Sequence, residues 1–368
     1  MEFSVSREQL LEKTQTAASV VERKQTMAIL ANILVEVDAT GAVLTGTDLD
    51  TEISTRMELV EVGSGGAITI PGRKLLDIAK ALPEGAVIQI KQDGSHLHIV
   101  SGRSRFKLAT LPAQDYPRLE ARGDLTSVQL AKEPLQDAIS KTQFAMAQQD
   151  VRYYLNGMLF SIGGGDFRTV ATDGHRLSLY QTLLEGGSSE PVSLIVPRKA
   201  VLELVRLLNG VKDTVELAFS SSHFRVSAAS FVFTSVLIDG RFPDYERVVP
   251  QGGDNVVRAD RKRLREVLQR ASILSSEQYR GVRLRLSHGQ LDVMANNAEQ
   301  EEAQESLEVE FVGQDGFEIG FNVGYLLDVL TTVDTELVEI RFGDSNRSAL
   351  MLGVGDESGR YVVMPMRL

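Results

Sequence analysis

Three residues with the side chains of a nucleophilic catalytic triad, Asp173, His175 and Ser178, occur within six positions of one another. In a hydrolase with such a triad, the histidine takes the proton of the serine hydroxyl and the carboxylate holds the imidazole in position. Residues this close on one turn do not generally converge on a single point, and no nucleophile-elbow motif surrounds Ser178. A hydrolase stays open as one alternative, and the rest of the chain must decide between it and a structural turn.

Other residues that commonly carry chemistry are sparse. The chain contains no cysteine, which excludes disulfides, thiolate metal sites and a cysteine nucleophile. Its 5 histidines, including His96 and His98 on a predicted strand, show no ligand spacing, and we predict no metal site. No phosphate-binding glycine motif occurs, and the glycine run Gly163, Gly164 and Gly165 has the setting of a hairpin turn. We therefore predict no nucleotide or other cofactor.

Length and composition bound the kind of protein. At 368 residues the chain exceeds one ordinary core and fits two or three domains. Hydrophobic residues make up 43% and charged residues 24%, which is typical of globular proteins and unlike disordered or fibrous ones. The first residues carry charges where a signal peptide would be apolar, and no segment approaches the roughly 18 apolar residues of a membrane span. We therefore expect a soluble cytoplasmic protein.

The formal net charge is −11, which as an average disfavours nucleic acid as a partner. The distribution is uneven, because basic residues concentrate on the predicted helices and acidic residues on the strands and loops. One interpretation is that the helix faces are simply solvated. The other is a basic, helix-lined surface that holds duplex DNA by its phosphates, independently of base sequence and with a strong dependence on salt.

A pattern of helices and strands recurs three times along the chain, and such a repeat decides the architecture. Helices with one apolar face are predicted at residues 70–83, 196–209 and 321–333, where Leu75, Val201 and Leu326 occupy equivalent positions. A second set is predicted at residues 7–21, 134–144 and 261–273, the first behind the capping residues Ser6 and Gln9. Each third therefore has the order helix, strands, helix, strands. Predicted strands include residues 97–100, 106–110, 231–237, 282–286, 307–311 and 361–366.

Polar, glycine-bearing joints separate the thirds at residues 121–124 and 250–254. Each joint follows a similar phrase, at residues 111–117 and 239–245. We predict an α+β fold of three repeated domains of about equal size, residues 1–123, 124–252 and 253–368.

The repeat changes the interpretation of the opening triad. Thr172 and Asp173 are in register with Thr47 and Asp48 of the first third, whereas His175 has no counterpart. Aspartate readily accepts hydrogen bonds from nearby backbone at such turns, so a structural role explains Asp173 better than catalysis does. Any special role of the middle domain is then expected at His175 and the two residues after it.

Several long motifs resemble the bacterial beta sliding clamps, the processivity subunits of replicative DNA polymerases. The resemblance covers essentially the whole chain and includes the three-fold repeat. The motifs are DVRYYLNGML at residues 150–159, VATDGHRL at 170–177, IDGRFPDY at 238–245, ANNAEQEEA at 295–303 and YVVMPMRL at 361–368.

This resemblance implies the fold of DNA clamps, with two helices packed on antiparallel sheets in each domain. It also implies a head-to-tail homodimer that closes into a ring of six domains, whose twelve helices line a hole for duplex DNA. Such a protein is a non-catalytic processivity factor. It uses no cofactor, does not bind membranes, and tethers DNA polymerases, the clamp loader and repair proteins through linear peptide motifs.

The resemblance further implies a hydrophobic cleft for partner peptides between domains 2 and 3. In its first subsite it implies Thr172, Gly174, His175, Arg176, Leu177, Pro243, Val248, Asn322, Tyr325, Met364, Pro365, Met366 and Arg367. In its second subsite it implies Arg152, Tyr154, Leu155, Ser348 and Val362, with Asn346 where related clamps often have an apolar residue. The alternative for Met364 and Met366 is that they only fill the core.

The same resemblance implies surfaces for DNA and for a second copy of the chain. The DNA-facing residues are Lys24, Arg73, Gln149, Tyr153, Tyr154, Arg198 and Lys199, and Lys24 lies in an Arg-Lys-Gln sequence that departs from the commoner Arg-Pro. At the dimer contact, Phe106 and Leu108 meet Ile273 and Leu274, while Lys74, Arg103 and Arg105 face Glu299, Glu301 and Glu302. Besides the hydrolase, a repeat scaffold that binds proteins but not DNA remains an alternative.

Overall fold

The structure is a computed structural model that describes residues 1–22, 27–119, 125–184 and 191–367. No helix in this part of the chain is long and apolar enough to cross a membrane. The predicted joint at residues 121–124 and the predicted DNA-facing residue Lys24 lie outside the described residues.

Six α-helices occur in the described residues, two in each third, at the predicted places. They are α1 Arg7–Ala17, α2 Gly72–Ala81, α3 Lys132–Thr142, α4 Arg198–Leu208, α5 Arg261–Ala271 and α6 Val323–Thr332. Ser6 caps α1 as predicted, since its hydroxyl accepts a hydrogen bond of 3.3 Å from the Gln9 backbone N–H. The predicted end of α1 at Val21 is wrong: the helix ends at Ala17, and Val20 and Val21 are buried outside the helix.

A close backbone approach accompanies the early end of α1. An added Cβ on Gly46 would lie 1.8 Å from the Ala17 carbonyl oxygen, so no side chain fits where the last turn of α1 meets the neighbouring strand. Ser19 follows this turn, and its hydroxyl donates a hydrogen bond of 2.8 Å to the Thr16 carbonyl. The apolar pattern that suggested four more helical residues instead places Val20 and Val21 against the core as non-helical chain.

Strands fill the chain between the helices. In the first third they are β1 Glu2–Ser6, β2 Asn32–Asp38, β3 Gly41–Thr47, β4 Thr51–Met57, β5 Glu61–Ser64, β6 Gly66–Pro71, β7 Val87–Asp93, β8 His96–Ser101, β9 Ser104–Ala109 and β10 Leu111–Pro112. In the second they are β11 Thr126–Ala131, β12 Gly157–Gly163, β13 Asp166–Thr172, β14 Arg176–Leu183, β15 Val192–Pro197, β16 Thr214–Phe219, β17 His223–Ala228 and β18 Phe231–Val236. In the last they are β19 Asn255–Asp260, β20 Gly281–Ser287, β21 Gln290–Asn296, β22 Glu302–Glu308, β23 Glu310–Val312, β24 Phe317–Asn322, β25 Leu337–Phe342, β26 Ala349–Gly353 and β27 Asp356–Val363.

The chain divides into two compact units. Unit 1 contains Met1–Lys132 and Leu202–Leu237, and unit 2 contains Glu133–Val201 and Ile238–Leu368. The middle third contributes to both units, so these units do not coincide with the three repeats. The boundaries at residues 123 and 252 stay a prediction.

Unit 1 contains two antiparallel sheets. One has five strands in the order β5-β1-β7-β8-β9, and the other has nine in the order β10-β6-β2-β3-β4-β18-β17-β16-β11. Strands β4 and β18 pair through Ile53 and Phe233, both fully buried, and so join the first third of the chain to the middle third. A core that includes Leu10 of α1, Leu75 of α2 and Ile99 of β8 joins the five-stranded sheet to the nine-stranded one.

Unit 2 repeats this arrangement with a nine-stranded and a four-stranded sheet. Their orders are β15-β12-β13-β14-β27-β26-β25-β19-β23 and β22-β21-β20-β24. Strands β14 and β27 pair with Leu177 opposite Val362, which joins the middle third to the end of the chain. Leu264 of α5 and Leu326 of α6 are buried in a core to which both sheets contribute.

The predicted strand 307–311 is wrong as a single element. Leu307 pairs with Leu291 in the four-stranded sheet, whereas Phe311 pairs with Val257 in the nine-stranded sheet. Between them the Val309 N–H donates a hydrogen bond of 3.1 Å to the Gly289 carbonyl. The apolar alternation continues through the crossing because Leu307, Val309 and Phe311 all face the same core.

The predicted hairpin turn at Gly163–Gly165 is confirmed between β12 and β13. Gly164 and Gly165 have φ values of 65° and 84°, a region that glycine enters without steric cost.

Candidate functional site

The turn between β13 and β14 is built by Thr172 and Asp173. The Asp173 Oδ1 accepts hydrogen bonds from the backbone N–H of His175 at 2.9 Å and of Arg176 at 3.0 Å. The Thr172 hydroxyl donates to the Arg176 carbonyl at 2.6 Å. Gly174 has a φ of 89°, which glycine tolerates best.

The first third contains the same turn. The Asp48 Oδ1 accepts from the backbone N–H of Asp50 at 3.0 Å and of Thr51 at 2.7 Å, and the Thr47 hydroxyl donates to the Thr51 carbonyl at 2.9 Å. Leu49 occupies the position of Gly174 with a φ of 81°. The prediction that Asp173 belongs to a repeated structural turn is confirmed.

The arrangement of Asp173, His175 and Ser178 does not support a catalytic triad. Ser178 is fully buried, and its hydroxyl donates a hydrogen bond of 2.8 Å to the Lys141 carbonyl. The carboxylate of Asp173 is occupied by backbone N–H groups and by Arg176, whose Nε lies 3.0 Å from Oδ2. The His175 ring instead stacks at 6.5 Å from the ring of Tyr325. No hydrogen bond joins the three side chains in the part of the chain that the structure describes.

Arg176 connects the turn to two other segments of unit 2. Besides Asp173, its guanidinium contacts the carboxylate of Asp328 on α6 and donates a hydrogen bond of 2.7 Å to the Phe144 carbonyl after α3. It also lies 4.6 Å from the ring centroid of Tyr325 and 5.2 Å from that of Phe144. All three guanidinium nitrogens therefore contact acceptors, and both α6 and the chain after α3 place an aromatic ring nearby. The side chain is only 13% exposed.

An apolar floor lies next to this turn. Leu177 and Val362 pair across β14 and β27, and both are buried in one cluster with Leu155. Val248 and Met364 are respectively 47% and 45% exposed, which is unusual for apolar side chains beside such a cluster. We call the predicted peptide site at these residues the peptide cleft; its predicted floor is Leu155, Leu177 and Val362, and its predicted rim includes Pro243, Val248 and Met364.

The segment after β27 is held at two points. The Met364 N–H donates a hydrogen bond of 2.9 Å to the His175 carbonyl, and the Met366 N–H donates one of 2.8 Å to the Gly320 carbonyl of β24. Pro365 and Met366 are half-buried, while Arg367 is exposed. The alternative that Met364 only fills the core is wrong, because almost half of it is exposed.

At the predicted second subsite, Arg152 is ordered by local contacts. Its Nε and Nη2 donate hydrogen bonds of 3.0 and 2.9 Å to the two carboxylate oxygens of Asp150, and Nη2 also lies 3.3 Å from the Asp173 carbonyl. The hydrogen bonds from Arg152 lower the pKa of Asp150 to about 2. An added Cβ on Gly174 would lie 2.7 Å from Nη2, so a side chain there would require the guanidinium of Arg152 to shift.

The remaining predicted cleft residues have mixed positions. Asn322 caps α6, since its side chain accepts from the Gly324 N–H at 2.8 Å and donates to the Tyr279 carbonyl at 3.3 Å. Tyr154, Thr172 and Ser348 are half-buried, whereas Gly174, His175, Pro243 and Asn346 are exposed. The structure brings Thr172, His175, Arg176, Tyr325 and Met364 together directly, and among the described residues no hydrogen bond or ring contact joins Asn346 to them.

Of the predicted DNA-facing residues that the structure describes, all but Tyr154 and Arg198 are exposed. Arg73, Gln149, Tyr153 and Lys199 are exposed, and Tyr153 reaches 59%. Arg198 is half-buried and donates a hydrogen bond of 3.3 Å to the Met146 carbonyl. Burial, together with the nearby charge of Arg176, lowers the pKa of Arg198.

Some basic residues on helices hold other helices and do not form a free surface. Arg7 donates hydrogen bonds of 3.1 and 3.4 Å to the carbonyls of Ala79 and Lys80 at the end of α2. Arg261 likewise donates one of 3.0 Å to the Leu330 carbonyl of α6. A guanidinium there satisfies last-turn carbonyls and complements the helix dipole. The predicted basic surface therefore excludes these residues.

The residues predicted at the dimer contact differ in availability. Ile273 is 75% exposed and Leu274 is half-buried. Leu108 is 8% exposed and belongs to the core of unit 1, with Phe106 partly buried against that core, and their place at the dimer contact stays a prediction. The predicted charged residues Lys74, Arg103, Arg105, Glu299, Glu301 and Glu302 are all exposed.

Sequence reasoning missed three groups at the peptide cleft: Asp150, the Phe144 carbonyl and Asp328. Asp150 stands two positions before Arg152, a spacing that could have indicated the pair. Nothing in the sequence marks Asp328, because its role depends on α6 lying beside β14. Among the described residues, no group of three or more His, Asp or Glu side chains could hold a metal ion.

Comparison with known proteins gave full-length matches. A family model described as the N-terminal domain of the DNA polymerase III beta subunit matches residues 1–120. The models of its central and C-terminal domains match residues 129–244 and 246–367. The beta sliding clamp of Pseudomonas putida is 49% identical over 368 residues, and that of Escherichia coli is 46% identical over 368 residues, each with 100% of both chains covered.

Solved structures are similar over the same length. The crystal structure of DNA polymerase III subunit beta from Pseudomonas aeruginosa has a TM-score of 0.97 at 49% identity, with 100% of both chains covered. A sliding clamp from that organism bound to griselimycin gives the same values. The Caulobacter crescentus pol III beta structure has a TM-score of 0.95 at 36% identity and the same coverage.

Proposed function

This chain belongs to the DNA polymerase III beta subunit family, the beta sliding clamps, and on that premise we propose that two copies close head to tail into a ring around duplex DNA. As a member of this family it is a replication processivity factor with three α+β clamp domains. We also propose the domain boundaries at residues 123 and 252, a non-catalytic role, and action in the cytoplasm, where a bacterial chromosome is replicated.

The main support for ring closure is a pair of open sheet edges with opposite charge. Strand β9 ends the five-stranded sheet of unit 1 and carries exposed Arg105, with Arg103 just before it. Strand β22 ends the four-stranded sheet of unit 2 and begins at exposed Glu302, just after Glu301. An unpaired edge is a template for another chain, and opposite charges would select a head-to-tail contact between copies.

DNA in such a ring needs no specific contact. Linkage by topology makes dissociation slow, so the lining has only to attract phosphates weakly and evenly. Exposed Arg73, Gln149, Tyr153 and Lys199 have side chains suited to this, with Arg198 held closer to the protein. Lys24 keeps its proposed role by position alone.

The peptide cleft is proposed to receive short hydrophobic motifs of DNA polymerases, the clamp loader and repair proteins. A buried apolar floor with exposed Val248 and Met364 above it fits two or three apolar side chains of a linear peptide. Polar groups at the rim, including Arg152 and His175, would fix the direction of that peptide. The clamp bound to griselimycin comes from a relative at 49% identity.

A retention experiment tests the ring. The protein is loaded by a bacterial clamp loader onto a nicked circular duplex, and the complex is isolated by gel filtration. A ring stays bound to the circle and is released when one restriction cut linearises the DNA. A repeat scaffold that binds only proteins would not be retained at all, and a protein that grips DNA directly would stay on the linear product.

A further inference from the structure

A concavity lies on the nine-stranded sheet of unit 2. It has a volume of about 500 Å³, and one wall is the chain segment Val249, Pro250 and Gln251. Its other lining residues include Leu350 and Leu352 of β26. We call it the arginine cleft, because Arg258, Arg341 and Arg360 also line it.

The arginine cleft is continuous with the floor of the peptide cleft. Leu177 pairs with Val362, Val362 pairs with Leu350, and Leu350 pairs with Arg341, so the four lie in one row across the sheet. Neighbouring strands are roughly 5 Å apart, so the floors of the two clefts are adjacent. Leu350 and Val249 belong to the same buried cluster as Leu177 and Val362.

The charges of the arginine cleft are arranged around one buried carboxylate. Glu339 is 6% exposed, and its two oxygens accept hydrogen bonds of 2.7 Å from Arg258 Nε and 2.6 Å from Arg341 Nε. Burial alone would raise the pKa of Glu339, but these hydrogen bonds outweigh it and lower the pKa below its ordinary value. The side chains of Arg258 and Arg341 remain 51% and 38% exposed, so each keeps donors for another acceptor.

Arg360 adds a third guanidinium. It is exposed, and within the described residues it has no side-chain hydrogen bond or salt bridge. Of the other acids that line the cleft, Asp356 already accepts from the Ser358 N–H and hydroxyl, and Glu357 is exposed. Three guanidiniums and three carboxylates line the cleft, but both Glu339 oxygens are already bonded, so the donors of Arg360 stay free for a partner that supplies acceptors.

We propose that the arginine cleft binds an acidic segment of the partner polypeptide, next to the motif that occupies the peptide cleft. This inference rests on the proposed peptide cleft for its location. Carboxylates of the segment pair with the free donors of Arg360, Arg341 and Arg258, and an apolar side chain packs on Leu352 and Pro250. Nucleic acid fits less well, because part of the lining is apolar.

Peptide binding by fluorescence anisotropy tests the proposal. The probes are a labelled decapeptide containing a clamp-binding motif of a bacterial polymerase, the same peptide extended at either end by Asp-Leu-Glu-Asp, and matched extensions of Asn-Leu-Gln-Asn. One acidic extension should bind roughly threefold tighter than the short peptide, while the neutral extensions should not. Arg360→Glu should abolish that gain without changing the affinity of the short peptide.

A matched control and a direct readout separate the outcomes. Arg285→Glu makes the same charge change on the four-stranded sheet and should leave the gain intact. The acidic segment alone, at high concentration, should shift the methyl NMR signals of Leu350 and Leu352 and not that of Leu177. Equal affinities for acidic and neutral extensions, a gain that survives Arg360→Glu, or methyl shifts caused by duplex DNA in place of the acidic segment would each overturn the proposal. Failure of the short peptide to bind would instead reject the peptide cleft and leave the methyl test of the arginine cleft standing.

Discussion

Arg176 holds the carbonyl of Phe144 by a hydrogen bond of 2.7 Å while its guanidinium lies 5.2 Å from the centroid of the same residue's ring. Because Asp173 and Asp328 contact the other nitrogens, this arginine supports the chain around the peptide cleft. Its role is therefore structural, in addition to the role that we propose for it in the peptide cleft.

We expect Arg176→Ala to lower the free energy of unfolding by about 2 kcal/mol, because it removes charge-assisted hydrogen bonds and leaves acceptors unpaired in a mostly buried place. Urea unfolding followed by circular dichroism measures this. Arg152→Ala is the control, since Arg152 is exposed and bonded mainly to Asp150, and it should weaken peptide binding with little effect on unfolding. If Arg176→Ala is as stable as the parent, the contacts of Arg176 do not contribute to the stability of the fold.

Ile273→Ala combined with Leu274→Ala should yield monomers in sedimentation velocity at micromolar concentration. Ile273 is 75% exposed, so the change removes apolar anchors of an interface without opening the core. Val312→Ala removes a comparably exposed apolar side chain, at 72%, away from the proposed contact and should leave the dimer intact. A double variant that still sediments as a dimer would mean that the interface is elsewhere.

Deletion of residues 364–368 should weaken binding of the motif peptide at least roughly tenfold, because it removes Met364 from the rim of the cleft. The mass in solution should not change, since the deleted residues are not among those proposed at the dimer contact. Met364→Ala keeps the backbone hydrogen bonds of this segment and should lose affinity in the same direction but by less. An unchanged affinity after deletion would remove Met364 and its neighbours from the site.

Two buried tyrosines predict a loss of stability in alkali. Burial raises the pKa of both Tyr116 and Tyr361 above the ordinary phenol value. A phenol whose pKa is higher in the folded state contributes stability that is intact below about pH 10 and is lost as the pH rises further. Absorbance at 295 nm should show at least two of the 8 tyrosines ionising only on unfolding.

Tyr116→Phe tests one of these groups separately. Its hydroxyl accepts from the Thr47 N–H at 3.1 Å and lies 3.2 Å from the carbonyls of Asn32 and Thr45. The change should cost about 1–2 kcal/mol at pH 8 and reduce the alkaline loss of stability. Tyr153→Phe, at an exposed tyrosine, should alter neither quantity. A Tyr116→Phe variant as stable as the parent would contradict this account.

Local sequence signals predicted local structure well. The apolar spacing at Leu75, Val201 and Leu326 predicted helices that the structure contains. The Thr-Asp pairs predicted a turn that occurs in both the first and the middle third of the chain. The end of α1 was predicted less accurately, because Val20 and Val21 continue the apolar pattern although the helix stops at Ala17. The pattern follows burial, and buried residues occur in helix and extended chain alike.

Pairings between distant segments could not be predicted from residue types. Nothing in β4 or β14 indicates that their partners are β18 and β27, since strands of similar composition occur throughout the chain. Leu108 shows a related limit: the resemblance places it at a contact between copies, and nothing in the sequence showed that its side chain is buried in the core of its own unit.

The hydrogen bond from the Met364 N–H to the His175 carbonyl joins two segments of the peptide cleft that are synthesised at different times. During synthesis on a ribosome, the turn at His175 emerges long before Met364 is added. An unfinished chain therefore has the loop but lacks the strand opposite Leu177 and the rim that completes the cleft. Copies that lack Met364 therefore lack the rim of the proposed peptide cleft, and we expect partners not to be recruited to them.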